Sequence, residues 1–180
     1  IDSTTIEAML SACSVYKGYC FPMIGLHPTS VNANYEKELE IVARELKFSK
    51  EYVAIGEIGM DLYWDKTYLK EQQIVLDKQV NWALEYDLPI VIHCRDAFDY
   101  IYKVLEPYKK TPLRGIFHSF TGTAEEATRV LEFSDFFIGI NGVVTFKKSH
   151  LPEILAGIPL GKIVLETDSP YLTPVPNRGK

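Results

Sequence analysis

Six short apolar, β-rich runs are spaced along the chain, each separated from the next by a longer amphipathic stretch. No other feature restricts the fold as much. The runs are Phe21 to Leu26, Tyr52 to Ile55, Pro89 to Ile92, Gly115 to Phe117, Phe136 to Ile140 and Lys162 to Leu165. Between them the spacing predicts helices over residues 35–48, 67–86, 96–109, 124–133 and 149–157. This alternation belongs to repeated βα units around a parallel sheet, an α/β fold. In the longest helix Leu69, Gln73, Leu76, Val80, Ala83 and Leu84 recur at spacings of three or four, giving one apolar stripe to lie on the sheet.

Thr123-Ala-Glu-Glu126 reads as a capping box, and Thr4-Thr-Ile-Glu7 as another, so a helix is expected before the first strand. No linker or low-complexity tract interrupts residues 1–180, which read as a single domain. At 47% hydrophobic residues, 180 residues bury one sizeable core and not two. An open doubly wound sheet shares the alternation. Its glycine fingerprint is missing, because Gly56-Glu-Ile-Gly59 lacks the third glycine and runs into Met60-Asp-Leu-Tyr-Trp64 instead of a helix.

Glu57, His93, His118 and Asp168 each fall at, or within three residues after, the end of an apolar run. In parallel βα folds that edge carries the active site, so four side chains from four strands are expected to converge. Two imidazoles and two carboxylates suit zinc or manganese, and magnesium with more water. Each residue also has a plainer reading: a hydrogen-bonded structural histidine, a solvated loop glutamate, or an aspartate bonding its own backbone in Asp168-Ser169-Pro170. Four such coincidences at one edge favour the metal.

Alternation along Val91-Ile-His-Cys-Arg95 sends His93 and Cys94 to opposite faces, so Cys94 reads as a small buried apolar residue. Arg95 either holds a phosphate or pairs with Asp96 or Asp99. His27, in Gly25-Leu-His-Pro28, either contacts a substrate oxygen or is a turn residue, and His150 reads as surface. A serine-nucleophile elbow, a His-Glu-x-x-His helix and a phosphate loop are all missing. A formal net charge of -5 gives no broad cationic face for nucleic acid, so any such substrate needs local groups or metal ions. Three cysteines without a C-x-x-C pair argue against a disulfide scaffold and make the cytoplasm the expected compartment. No apolar run approaches the roughly 20 residues of a membrane span.

Five segments in order resemble the TatD family of metal-dependent deoxyribonucleases, which are amidohydrolase-like TIM barrels. They are Gly25-Leu-His-Pro28, Ile55-Gly-Glu-Ile-Gly-Met-Asp61, Pro89-Ile-Val-Ile-His-Cys-Arg-Asp96, Gly115-Ile-Phe-His-Ser-Phe-Thr-Gly122 and Leu165-Glu-Thr-Asp-Ser-Pro-Tyr-Leu-Thr-Pro174. The resemblance implies a TIM-like barrel binding two divalent ions (Mg, Mn or Zn), with Glu57 bridging them, His93 and His118 completing one site, and Asp168 serving the other. It implies DNA as substrate, mainly single strands or 3′ ends, degraded 3′ to 5′, with Asp168 as the candidate general base. It names no protein partner.

The family opens with a His-x-His strand, and none occurs here. By that comparison the first two barrel strands and a C-terminal segment are missing, one metal position keeps three protein ligands, and the other keeps only Glu57 and Asp168. The chain is therefore expected to be a fragment of a longer protein. The alternatives are a barrel hydrolase of a small amide or ester, and an inactive truncated form.

Overall fold

The computed structural model describes residues 2–179, and its contacts divide the chain at a point where the sequence shows no linker, into Ile1–Arg114 and Gly115–Lys180. The first unit runs α1 (Ile6–Val15), β1 (Met23–Ile24), α2 (Tyr35–Phe48), β2 (Ala54–Asp61), α3 (Leu69–Glu85), β3 (Ile90–Arg95) and α4 (Phe98–Leu105). β1 lies parallel to β2 with Met23 opposite Ala54, and β2 lies parallel to β3 with Gly59 opposite His93 and Asp61 opposite Arg95. The register shifts between Ile55 and Ile58, so Glu57 sits at an irregularity inside a strand. β2 thus runs six residues beyond the predicted run. Gly56, Glu57 and Gly59 masked it, because strand propensity is low there.

α3 packs along β2. Its buried face is rotated slightly from the predicted stripe: Leu76, Val80 and Ala83 are buried as expected, but Gln72, Val75 and Gln79 join them, while Leu69, Gln73 and Leu84 are half-buried. Leu26, Val31, Leu39 and Val75 form a buried cluster closed by Tyr35, Tyr68 and Trp82.

The second unit runs β4 (Gly115–Phe117), α5 (Ala124–Val130), β5 (Phe136–Ile140), α6 (Leu151–Leu155) and β6 (Ile163–Leu165), with β4 parallel to β5 and β5 parallel to β6. Phe133 and Phe117 pack against Phe136 at ring-centroid distances of 4.7 and 6.2 Å. The Thr123/Glu126 capping box starts α5 as predicted. The expected Thr4/Glu7 box is not formed. Instead the Asp2 side chain accepts the Thr4 N–H in a short 3-10 turn, and α1 follows with Thr5 at its N-cap and no side-chain cap. Among the described residues no helix is long and apolar enough to cross a membrane.

Tyr52, buried just before β2, donates to Glu45 Oε2 on α2 at 3.3 Å. Burial first, then the neighbouring Glu45 charge, pushes its phenol up to about 12. The folded state is therefore favoured fully below the ordinary tyrosine value of about 10, and that advantage is lost as pH rises through about 12, because the unfolded chain ionises first. Urea midpoints measured at pH 8 and pH 11 should fall more steeply for the wild type than for Tyr52→Phe.

Candidate metal centre

His27, Glu57 and His93 come from three successive segments of the first unit. Gly25 lets the chain leaving β1 pass close to β2, since a Cβ there would lie 2.8 Å from Ile58 Cγ2. Gly59, at φ +137°, lets β2 press on β3, because a Cβ would overlap the His93 carbonyl oxygen. The result is a group in which one ligand atom from each of the three residues lies within 4.8 Å of the others. His27 Nε2 is 3.6 Å from Glu57 Oε2, and the His27 and His93 rings meet edge to face with centroids 4.5 Å apart.

Two imidazoles and a carboxylate are a suitable donor set for a divalent ion of the zinc or manganese type. His27 Nδ1 accepts the Thr29 N–H at 3.2 Å and lies 2.7 Å from Thr29 Oγ1, contacts that hold the ring with Nε2 on the Glu57 side. His93 Nε2 lies 2.9 Å from Oδ2 of Asp61, whose other oxygen accepts the Tyr63 N–H at 3.1 Å. A carboxylate behind a ligating imidazole fixes the ring and raises its basicity. Sequence reading missed Asp61. Its signal was position, since it closes β2 four residues after Glu57, on the same side of the strand pattern.

Arg95, two residues past His93, places its guanidinium 3.8 Å from the Tyr63 ring centroid and 5.5 Å from that of Trp64. The aromatic rings, just past β2, meet at 90° and are 51% and 75% exposed, so an aromatic pair with a guanidinium against it faces solvent beside the end of β3. Cys94 is half-buried, and His150 is exposed as predicted.

In the second unit His118, just past β4, meets two carboxylates. Its Nδ1 is 2.8 Å from Glu166 Oε2 and its Nε2 is 3.7 Å from Asp168 Oδ1. Glu166 also accepts the Ser119 N–H, and a Cβ at Gly139 on β5 would lie 2.6 Å from Glu166 Oε1, so a side chain there would have to displace that carboxylate. Asn141 donates to Ser119 Oγ at 2.6 Å, holding the turn after His118. Glu166, not anticipated from sequence, is the nearer acid to His118. Its parity with Asp168 at the end of β6 was the available clue. The structure therefore brings Glu57 together with His93 and His27, and His118 together with Asp168 and Glu166.

Parallel βα architecture and this donor set define the chain as a metal-dependent hydrolase of the TIM-barrel type. Residues 1–180 match the TatD related DNase family. The chain is 37% identical over 180 residues to YabD of Bacillus subtilis strain 168, described as an uncharacterized metal-dependent hydrolase, spanning 99% of this chain and 69% of that protein. It is 35% identical over 161 residues to a 3′-5′ ssDNA/RNA exonuclease TatD of Pantoea sp. strain At-9b, covering 88% of this chain and 61% of that protein. The crystal structure of YjjV, a TatD homolog from Escherichia coli K12, superposes with a TM-score of 0.89 at 29% identity, covering 99% of this chain and 69% of that one. The chain belongs to the TatD family.

Removal of the Asp61 carboxylate should loosen His93. Asp61→Ala is expected to weaken Mn2+ binding by about 10- to 100-fold, measured by titration calorimetry, with far-UV circular dichroism unchanged.

Proposed function

We propose that this chain hydrolyses the phosphodiester bonds of DNA in a reaction dependent on two divalent ions (Mg, Mn or Zn), removing nucleotides from 3′ ends of single strands. The observation that carries this reading is the His27, Glu57 and His93 group, three metal-type donors within 4.8 Å of one another. Glu57, His93, His118 and Asp168 are the proposed metal-binding residues, and His27 adds an imidazole to the first of these sets. Divalent ions bound there supply activation of water and neutralisation of phosphate charge. Asp168 takes the proton of the attacking water, and its partly exposed carboxylate, 40% accessible, is compatible with that role. Glu166 holds His118 through Nδ1 and keeps the ring oriented while Asp168 works.

Support for nucleic acid over a small ester comes from Arg95. Its guanidinium stacked on Tyr63, with Trp64 beside it, offers a face for a base and a charge for a phosphate. Of the two sequence readings of Arg95, this one takes the phosphate. The name of the Pantoea relative points the same way.

Glu57→Ala should reduce Mn2+-dependent nucleotide release from 3′-labelled single-stranded DNA to background, while wild-type chain releases label progressively. Full activity in that variant would overturn the mechanism, and turnover of p-nitrophenyl esters without DNA cleavage would overturn the substrate. Trp64→Ala should raise KM for the oligonucleotide by about tenfold or more and leave kcat for bis(p-nitrophenyl) phosphate unchanged.

A further inference from the structure

Two glutamines on the buried face of α3 bond to the backbone beside the candidate metal centre. Gln79, with no solvent exposure, accepts the Leu26 N–H on Oε1 at 2.7 Å and donates from Nε2 to the Leu26 carbonyl at 3.3 Å. Gln72, 5% exposed, does the same to Asp61, accepting its N–H at 2.9 Å and donating to its carbonyl at 3.2 Å. Each carboxamide thus offers the donor and acceptor that a neighbouring strand would offer, at places beyond the end of the short β1–β2 ladder.

Neither contact is at a random site. Leu26 immediately precedes His27, and Asp61 holds His93 Nε2. The two glutamines are seven residues apart, two turns of one helix, so both face the same side at a separation of about 10.5 Å along the axis. Gly25 contributes to the fit, because a Cβ there would lie 3.2 Å from Gln79 Oε1. A buried amide that only filled space would be replaced by leucine or methionine at lower desolvation cost.

We propose that Gln72 and Gln79 are positioning residues of the metal centre. They form a paired backbone clamp through which α3 fixes His27 relative to the Asp61–His93 pair. The inference rests on the metal-site reading above and adds to it residues that touch neither metal nor substrate. A rigid helix spanning both anchor points sets the spacing of donors contributed by separate segments, as outer contacts do for metal ligands generally.

The test compares wild type, Gln72→Met, Gln79→Met, Gln79→Asn and the control Val80→Ala, which opens a cavity on the same buried face without touching the clamp. Mn2+ affinity is measured by calorimetry on the 180-residue chain, and exchange of the Leu26 and Asp61 amides by hydrogen–deuterium NMR. The clamp predicts Mn2+ affinity reduced by about 10- to 100-fold in each glutamine variant, with faster exchange at Leu26 in the position-79 variants and at Asp61 in Gln72→Met. Val80→Ala should lower the unfolding temperature and keep wild-type Mn2+ affinity. If Gln79→Met does not fold, Gln79→Asn keeps the polar group but is too short to reach both Leu26 atoms, and carries the same expectation. Wild-type affinity in the folded glutamine variants, or an equal loss in Val80→Ala, overturns the clamp. Failure of wild type to bind Mn2+ while both amides stay protected overturns the metal-site reading itself, and so is told apart from failure of the clamp.

Discussion

A Cβ at position 56 would lie 2.8 Å from Val91 Cβ, and one at position 59 would overlap the His93 carbonyl. The first unit depends on this closeness of β2 to β3. With side chains at either place the strands would have to separate, the register from Gly59 to His93 would change, and Asp61 would no longer reach the His93 ring at 2.9 Å. The glycines on either side of Glu57 therefore have a different role from a phosphate-binding loop. They allow a strand to carry Glu57 at its point of irregular register and still pack against its neighbour.

The same logic recurs in the second unit with different residues. Gly139 on β5 leaves the space that Glu166 fills from the end of β6, and Glu166 bonds both the His118 ring and the following amide. In the first unit His93, inside β3, is backed by Asp61 from the adjacent β2, and in the second His118, just past β4, is backed by Glu166 from the end of β6, with a glycine at each approach. The carboxylate lowers the freedom of the ring and favours one tautomer, which a metal ligand requires before binding instead of after it.

Much of this was legible in the sequence. β4 and β5 match their predicted limits because each is a short unbroken apolar run, and α2 likewise matches. Glu57, His93, His118 and Asp168 were singled out because strand ends concentrate chemistry in parallel folds. What escaped was whatever depends on a partner strand or helix. Asp61 and Glu166 looked like ordinary acids until the rings facing them were known. Gln72 and Gln79 interrupt the apolar periodicity of α3, and the three-and-four spacing counted from Leu69 put Gln73 on the stripe in place of Gln72. A buried glutamine is paired by position, and position belongs to the fold.

Charge gives the last constraint. The residues around the histidines are acidic, namely Glu57 and Asp61 in one unit and Glu166 and Asp168 in the other, in a chain of net charge -5. Two carboxylates in each set repel a phosphodiester unless cations stand between them. A surface lysine cluster would draw nucleic acid along its whole backbone and lose it as salt rises. Here, under the proposed reading, attraction is confined to the place where divalent ions are held, with Arg95 as the adjacent fixed cation. An acidic chain can then release the shortened strand after each cleavage, because little beyond the reacting end is bound. Under the same reading, the acids that exclude DNA from the empty donor set are the ones that recruit the metal, so binding of the substrate is made conditional on binding of the ions.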